Sequence, residues 1–258
     1  MNKKRIKELV KGEFQRKSAL IIYAKRAEEG LWNSEKYFIK KYFTKKGASV
    51  LDIGCGTGRT TIPLHKIGFK VTGIDFAPKM IELAKRIAHK KRIGVKYKVN
   101  DATDLTFKSD TFDYAFFANQ GWTMIPFNED RLKALIEIER ILKLGGIFIF
   151  TSHLRSWRGN KFFLWAWQWL RLKICKLPWL DTNEFEFGDR YFSIINGNKI
   201  YKKQFIHIPS LKEVIGEIKK CNFEILEISN KIKSPDNKVE ANPSPVFYVV
   251  KKIKNLRR

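Results

Sequence analysis

The sequence contains few cysteines and no long apolar run. Its three cysteines, Cys55, Cys175 and Cys221, lie far apart and form no CxxC pair. This spacing excludes a disulfide-framed mini-protein and a cysteine-based metal cluster, so we expect no metal site. The apolar stretches are too short to cross a bilayer, and no signal-peptide core follows the basic N-terminus. We therefore expect a soluble, cytoplasmic protein without a transmembrane segment.

Acidic residues are scarce relative to basic ones. The chain has 51 Lys and Arg against 26 Asp and Glu, which gives a formal net charge of +25. Such a balance is typical of proteins that bind nucleic acid or an anionic membrane. The excess is spread along the chain, however, as on a solvated, lysine-rich surface. Both interpretations stay open.

Hydrophobic residues make up 44% of the chain and aromatic residues 14%, which excludes a disordered protein and allows a full core. Apolar runs predict strands at 48–53, 70–74, 95–99, 112–118, 147–151, 223–228 and 246–251. Helices are predicted at 59–67, 78–91, 128–143 and from Ser210 onward. Pro78 suits a first helical turn, Asn128 is predicted to cap its helix, and Ser210 with Glu213 fits a capping box. This alternation favours an α/β fold with a mostly parallel sheet covered on both faces.

Two stretches fall outside that alternation. Residues 1–46 are predicted to form an N-terminal helical cap on a domain made of 47–152 and 208–258. Residues 153–207 hold five of the seven tryptophans and a predicted hairpin, 190–195 with 199–206, joined by Asn196-Gly197-Asn198. We interpret 153–207 as an α+β insertion.

The most informative stretch runs from Val50 to Gly58, Val-Leu-Asp-Ile-Gly-Cys-Gly-Thr-Gly. Glycines after a buried strand allow a tight turn and the close approach of a ligand. Asp75 ends the next strand, where a carboxylate can accept hydrogen bonds from a ribose diol. Asp52 precedes the first glycine by two residues, which suits a cationic ligand better than the pyrophosphate of a dinucleotide.

The chain resembles the class I S-adenosylmethionine-dependent methyltransferases of small-molecule type. Five segments resemble the family's motifs in the family's order: 50–58, Gly-Ile-Asp-Phe-Ala-Pro-Lys-Met (73–80), Asn-Asp-Ala-Thr-Asp-Leu (100–105), 112–119 and Leu-Lys-Leu-Gly-Gly-Ile-Phe-Ile-Phe (142–150). The resemblance covers about residues 47–152. It implies a Rossmann-like, doubly wound sheet of seven strands whose last strand is antiparallel, and S-adenosyl-L-methionine as the cofactor.

The resemblance also implies roles for the matching positions. Gly54, Gly56 and Gly58 are expected to pass under the cofactor, and Asp52 to face its ammonium group. Further expected contacts are Asp75 with the ribose, Phe76 with the adenine face, Asp101 and the Ala102 backbone with the adenine edge, and Asn119 in the methyl-transfer cavity. Cys55 and Met80 complete the expected cofactor-binding set within these motifs. Tyr23 is expected to close over the cofactor from the N-terminal helices, with a plain core position as the alternative.

The acceptor is harder to predict. Methyl transfer from a sulfonium depends mainly on positioning, and a base is needed only if the acceptor must lose a proton. His153 and His207 are the candidate bases, and a packing role is the alternative for each. The Asn-Pro-Pro-Tyr signature of exocyclic-nitrogen methylation is absent, because the fourth strand ends in Ala118-Asn119-Gln120. This argues against adenine-N6, cytosine-N4 and glutamine as acceptors.

The tryptophan-rich segment 161–176 has a narrow polar stripe of Lys161, Gln168, Arg171 and Cys175 in an apolar helix. Three interpretations stay open: a lid over an apolar acceptor pocket, a helix in peripheral contact with a membrane, and a stacking surface for single-stranded nucleic acid. We favour a small apolar or aromatic acceptor with this segment as the lid. An RNA methyltransferase, whose binding would weaken steeply with salt, and a non-catalytic cofactor-binding partner subunit are the alternatives.

Overall fold

The computed structural model describes residues 3–159, 161–173, 184–196, 199–229 and 245–254. Several predicted features lie outside these ranges. They are Cys175, Trp179, the Gly197-Asn198 part of the predicted hairpin turn and the last four residues of the basic tail.

The strands of the described residues form two sheets. They are β1 (Ser49–Ile53), β2 (Lys70–Asp75), β3 (Lys96–Val99), β4 (Phe112–Phe117), β5 (Leu142–Ser152), β6 (Asp189–Asn196), β7 (Lys199–His207), β8 (Phe223–Ser229) and β9 (Val246–Lys252). Seven of them pair in the order β3-β2-β1-β4-β5-β9-β8, and β6 with β7 forms the predicted hairpin.

The large sheet has the predicted topology. β1 is parallel to β2 and β4, β2 to β3, and β4 to β5, whereas β9 runs antiparallel to both β5 and β8. The chain builds outward from β1 in one direction and then returns to build from β4 in the other. This confirms the mixed, Rossmann-like, doubly wound fold with an antiparallel last strand.

Eight helices of the described residues cover the sheets. They are α1 (Lys3–Phe14), α2 (Lys17–Arg26), α3 (Asn33–Tyr42), α4 (Thr61–Lys66), α5 (Pro78–Lys90), α6 (Asn128–Ile141), α7 (Lys161–Lys173) and α8 (Leu211–Ile218). A 3₁₀ turn spans Gly121–Met124. No helix within the described ranges combines the length and the apolar character needed to cross a membrane.

Local signals account for two of the helix starts. Pro78 is the first residue of α5, as predicted. The predicted capping box at α8 is also confirmed, because Ser210 Oγ accepts a hydrogen bond from the Glu213 amide at 3.2 Å and the Glu213 carboxylate accepts one from the Ser210 amide.

The core lies on both faces of the large sheet because successive strand residues point in opposite directions. On β4, Phe117 packs on the face covered by α6 and α8, and Phe116 packs on the face covered by α3 and α4. The helix α3 is part of that second core, since Phe38 stacks on Phe247 of β9 with ring centroids 4.5 Å apart. The division of the chain into a cap, a main domain and an insertion stays a prediction.

Two expectations about α6 are wrong. Asn128 is the first helical residue rather than a side-chain cap, and its amide donates to Glu186 Oε1 at 2.6 Å, a carboxylate from the insertion. The helix ends at Ile141 instead of 143, because Leu142 already pairs with Phe112 as the start of β5. The Gly145-Gly146 pair therefore lies inside a strand.

Candidate functional site

A partly open cavity lies at the carboxyl ends of β1, β2 and β4. This is where the chain direction through the sheet reverses, the position at which doubly wound folds bind ligands. Main-chain and side-chain atoms of the turns that follow β1 and β4 form its floor, and helices α1 and α2 form its roof. Its lining consists of Lys7, Val10, Phe14, Tyr23, Ile53, Gly54, Gly56, Asp75, Phe76, Met80, Asn100, Asp101, Ala102, Thr103, Phe117, Ala118, Asn119, Gly121, Met124, Ile125 and Pro126.

The floor requires glycine. Gly54 has φ +61°, and a Cβ placed there would lie 2.7 Å from Cε2 of the Phe117 ring. Gly56 has φ +53°, and its Cβ would lie 3.5 Å from Cδ1 of Tyr23. Gly58 is different, because it does not line the cavity; a side chain there would overlap the hydroxyl group of Tyr97. Two of the three predicted glycines therefore form the cavity floor, and the third allows packing beneath it.

Asp75 is buried at the end of β2 and lines the cavity. Its Oδ2 accepts a hydrogen bond from the Gly56 amide at 3.0 Å, and its Oδ1 accepts one from the Ala77 amide at 2.9 Å. Burial raises the pKa of this carboxyl to about 6, and the two backbone hydrogen bonds oppose that rise. The carboxylate thus holds the glycine turn in place and retains lone pairs for a ligand.

Asp52 lies on β1 and is fully buried, but it does not line the cavity. Its Oδ2 accepts hydrogen bonds from Thr60 Oγ1 at 2.7 Å and Thr61 Oγ1 at 2.6 Å. Its Oδ1 is buried and has no hydrogen-bond partner among the described residues. Burial raises the pKa of this carboxyl to about 6. A buried acceptor without a donor is rare in folded proteins, so it suggests a donor supplied from outside the chain.

The rim of the cavity contains most of the remaining predicted residues. Phe76 and Met80 lie on the α5 side, Asp101 and Ala102 follow β3, and Asn119 follows β4 with φ +51°. The carboxylate of Asp101 accepts hydrogen bonds from the amide of Thr103 at 2.8 Å and from its hydroxyl at 2.9 Å. The structure thus brings the side chains of four separate motifs to one opening.

Cys55 does not line the cavity, although it lies between Gly54 and Gly56. Its side chain packs in a buried cluster with Ile81 and Ala84 of α5 and with Tyr97. Burial raises the pKa of the Cys55 thiol, so it stays protonated. The expected contact of Cys55 with a cofactor is therefore not supported, because its side chain packs against α5 and away from the cavity.

Apart from Tyr23, the residues that roof the cavity are not among those predicted from the sequence. Lys7, Val10 and Phe14 reach the cavity from α1, and the Phe14 ring lies 5.9 Å from the Tyr23 ring and 5.7 Å from the Phe76 ring. Thr57 Oγ1 in the glycine turn donates to the Tyr23 carbonyl at 2.6 Å, which fixes α2 over the turn. The spacing of Ile6, Val10 and Phe14 every four residues is the signal that could have identified this helix face.

A buried ion pair attaches the N-terminal helices to the turn. The guanidinium group of Arg59 donates two hydrogen bonds of 2.7 Å to the Glu35 carboxylate, one to each oxygen. It donates a third to the Gly30 carbonyl at 2.9 Å, and it stacks on the Trp32 ring at 4.2 Å. Both charged side chains are nearly inaccessible to solvent. This pair holds α3 against the start of α4 and was not predicted.

Neither predicted base lines the cavity. His153 is half-buried, and burial lowers its pKa to about 4. His207 lies in a second groove, with its Nδ1 2.8 Å from Asp189 Oδ1, and burial lowers its pKa despite that neighbour. Asp189, Glu186 and His207 form a close polar group, but Glu186 pairs with Arg131 at 2.6 Å and Asp189 accepts two backbone hydrogen bonds. We interpret this group as the attachment of the insertion, since no atom of it faces the cavity.

The predicted lid is only partly at the cavity. No described residue of α7 lines it; α7 lines a large open groove with α8 instead. The hairpin is closer, because Gln204 Nε2 contacts Met124 Sδ at 3.8 Å and Phe205 packs with α1. The roof over the turn is thus built by the N-terminal helices α1 and α2.

Comparisons with known proteins agree with this geometry. Residues 50–146 match the family model of a methyltransferase domain. A demethylmenaquinone methyltransferase of Staphylococcus aureus (strain JH9) is 38% identical over 117 residues, 44% of this chain and 46% of that protein. The chain thus spans about half the length of the curated relatives it matches.

Solved structures show the fold over a longer stretch. A SAM-dependent methyltransferase from Methanosarcina mazei superposes with a TM-score of 0.66 at 24% identity, over 87% of this chain and 99% of that chain. A Haloferax volcanii protein, solved in complex with the Trm112 methyltransferase activator, has a TM-score of 0.65 at 17% identity, over 96% of this chain and 100% of that chain. At these identities the similarity establishes the architecture.

Proposed function

We propose that the chain is a class I S-adenosylmethionine-dependent methyltransferase that transfers a methyl group to a small, apolar or aromatic acceptor, since residues 50–146 match the family model of a methyltransferase domain. The observation that carries this proposal is the cavity at the glycine turn. Asp75 borders its floor, and the apolar side chains of Val10 and Phe14 roof it. A mostly apolar cavity that is partly closed by the N-terminal helices suits a small molecule better than a polynucleotide.

The residues present fit the cofactor. Gly54 and Gly56 leave room where a Cβ would meet a ring, and Asp75 offers a buried carboxylate to the ribose hydroxyl groups. Asp52 does not line the cavity, so its unpartnered Oδ1 would accept from the ammonium group through a bridging water. The roles of Phe76, Asp101, Ala102, Asn119 and Met80 are part of this proposal, and their place at the cavity supports it.

When bound, S-adenosylmethionine would supply a methyl group attached to a positively charged sulfur. In an in-line displacement the methyl group passes to the acceptor, and the sulfur leaves as a neutral thioether. The protein's task is then to orient the acceptor and to exclude water, for which the roof helices are placed. No histidine lines the cavity within the described residues. This leaves His153 and His207 without support as bases, and the titratable groups that do line the cavity are Lys7, Tyr23, Asp75 and Asp101.

The name of the Staphylococcus relative concerns a small-molecule acceptor, which supports that class here. The alternative acceptor is RNA, favoured by the net charge of +25. The two differ in salt dependence, because an RNA complex releases counterions and an apolar one does not. Transfer of radiolabelled methyl to a panel of quinols and phenols should persist at raised salt; transfer to RNA alone, lost as salt rises, would overturn the small-molecule proposal. Cofactor binding with no transfer to any acceptor would favour a non-catalytic partner subunit.

Cofactor binding is tested by calorimetry with Asp75→Ala. The variant should bind S-adenosylmethionine about 1–3 kcal/mol more weakly, because charge-assisted hydrogen bonds to the ribose are lost. Asp104→Ala is the matched control, since Asp104 is exposed, lies near Asp101 and does not line the cavity. Equal affinities of Asp75→Ala and the wild type would remove Asp75 from the site.

A further inference from the structure

The helix α7 is oriented opposite to an ordinary surface helix. Its buried side chains are Trp165, 3% exposed, and Gln168, 1% exposed. Its outward side chains include Phe163, 74% exposed, and Trp167, 61% exposed. A soluble surface helix places its apolar stripe on the core and its polar stripe in water. In α7 the amide side chain of Gln168 is buried beside Trp165, and the four other aromatic side chains are exposed to solvent.

Hydrogen bonds hold the helix in this orientation. Gln168 Nε2 donates to the Asp189 carbonyl at 2.8 Å and to Glu184 Oε2 at 3.0 Å, and Gln168 Oε1 accepts from the Gly188 amide at 3.1 Å. Trp165 Nε1 donates to the Ser156 carbonyl at 2.9 Å. Arg171 also turns inward and pairs with Glu184. Rotating the helix to bury the ridge would leave these polar groups without partners.

The outward face is a continuous apolar surface, which we call the α7 ridge. Its members are Trp157, Phe162, Phe163, Trp167, Trp169 and Leu170, each more than a third exposed. Ring contacts join Trp157 to Phe162 at 5.9 Å and Phe162 to Phe163 at 5.6 Å. An exposed apolar patch of this kind marks a surface that contacts a partner protein, a ligand or a membrane.

The charge around the α7 ridge is positive. The helix contains no acidic residue. Exposed cations flank it at Arg158, Lys161, Lys212, Lys219 and Lys220, none of them in an ion pair within the described ranges. Among the nearby acids, Glu213 pairs with Arg155 and Glu184 pairs with Arg171, whereas the buried Glu217 has no ion pair within the described ranges. The surface therefore offers aromatic groups framed by uncompensated positive charge.

We propose that the α7 ridge docks on an anionic lipid bilayer, with α7 lying in the plane of the headgroups. Phenylalanine, tryptophan and leucine enter the boundary of the acyl chains, and the flanking lysines and Arg158 face anionic headgroups. The 13 described residues of α7 span about 20 Å, less than the roughly 30 Å of the hydrocarbon core, and we place them on the membrane surface. Nucleic acid fits less well, since cations frame the ridge instead of alternating with its rings, and Leu170 offers no stacking face.

The experiment is co-sedimentation of the full chain with vesicles. Phosphatidylcholine vesicles are compared with vesicles of phosphatidylcholine and phosphatidylglycerol in equal amounts. The wild type should bind the anionic vesicles with a blue shift of tryptophan fluorescence. Phe163→Ser/Trp167→Ser should weaken binding by about tenfold or more, because two large side chains no longer enter the bilayer. Lys212→Gln/Lys220→Gln should weaken it several-fold on anionic vesicles only.

The matched control is Ile67→Ser/Leu144→Ser, which removes two exposed apolar side chains far from α7 in sequence. It should bind anionic vesicles like the wild type. Equal binding by the Phe163→Ser/Trp167→Ser variant would overturn the proposal. The proposal is also overturned if the wild type does not bind vesicles and the same substitutions instead abolish its binding to single-stranded RNA or its self-association. Binding is measured without cofactor or acceptor, so the result is independent of the proposed methyl transfer.

Discussion

The glycine-turn cavity and the helix α7 show two opposite arrangements of polar and apolar groups. Around the cavity, apolar side chains such as Ile53 and Phe117 point inward, and the buried carboxylate of Asp75 accepts two backbone hydrogen bonds. In α7 a polar residue, Gln168, is buried beside Trp165, and the four other aromatic residues are exposed. The first arrangement creates a binding site within the chain. The second leaves apolar surface for contact with something else.

The difference shows what a periodic pattern can and cannot predict. A stripe of apolar residues establishes that one face of a helix differs from the other. Which face turns toward the protein depends on the partners available to each, and here the carbonyl of Asp189 and the carboxylate of Glu184 select the polar one. Four predictions with defined variants, one of them already given for Asp75, test this contrast.

The largest effect is expected at the ion pair beside the cavity. Glu35→Gln should lower the free energy of unfolding by about 3–5 kcal/mol, because Arg59 would be left charged, buried and uncompensated. Urea denaturation measures this. Glu28→Gln, which breaks the exposed pair with Lys91, is the control and should unfold like the wild type. A Glu35→Gln protein as stable as the control would show that the pair does not hold α3 in place.

A smaller effect is expected in α7, and it should be opposite to the usual rule for polar and apolar residues. Gln168→Leu should lower the free energy of unfolding by about 1–3 kcal/mol, since the Gly188 amide and the Asp189 carbonyl would lose their partner. Phe163→Ser should change it by less than about 0.5 kcal/mol, because the ring is in solvent. Thermal unfolding of both variants measures these two changes in stability. The reverse order of stabilities would mean that α7 is turned the other way in solution.

The smallest effect concerns pH at the cavity. The carboxyls of Asp52 and Asp75 have pKa values raised from 3.8 to about 6, so both are largely protonated at pH 5 and ionised at pH 7. Affinity for S-adenosylmethionine should rise between pH 5 and pH 7 by up to about tenfold in total for each group, because the ionised form accepts hydrogen bonds. Calorimetry at several pH values measures the slope, and Asp75→Asn should reduce it.

The same raised pKa values predict that the stability of the free protein falls as the pH rises. An acid whose pKa is raised by folding stabilises the folded state below about pH 4, and this contribution disappears as the pH rises through about 6. Without cofactor, these two groups should therefore lower the stability between pH 4 and 6. A cofactor affinity that is flat from pH 5 to pH 7 would mean that neither carboxyl contacts the ligand.

Much of the site could be predicted from sequence because its parts are local. Gly54 and Gly56 follow a strand, Asp75 ends the next one, and Asn119 ends a third; the carboxyl ends of parallel strands meet at one edge of the sheet. The contacts that were missed or misplaced are distant in sequence. Lys7 and Phe14 come to the cavity from the first helix, and His207 is held away from it by Asp189.

The sequence by itself determined the order of strands and helices, the glycine turn and the acids beside it, since each follows from hydrophobic period, turn chemistry and chain order. Only the tertiary structure decided which helices roof the cavity, that Cys55 faces away from it and that α7 presents its rings to solvent. Those outcomes depend on competition among surfaces far apart in the chain, where burial of apolar area and satisfaction of buried polar groups must be met together.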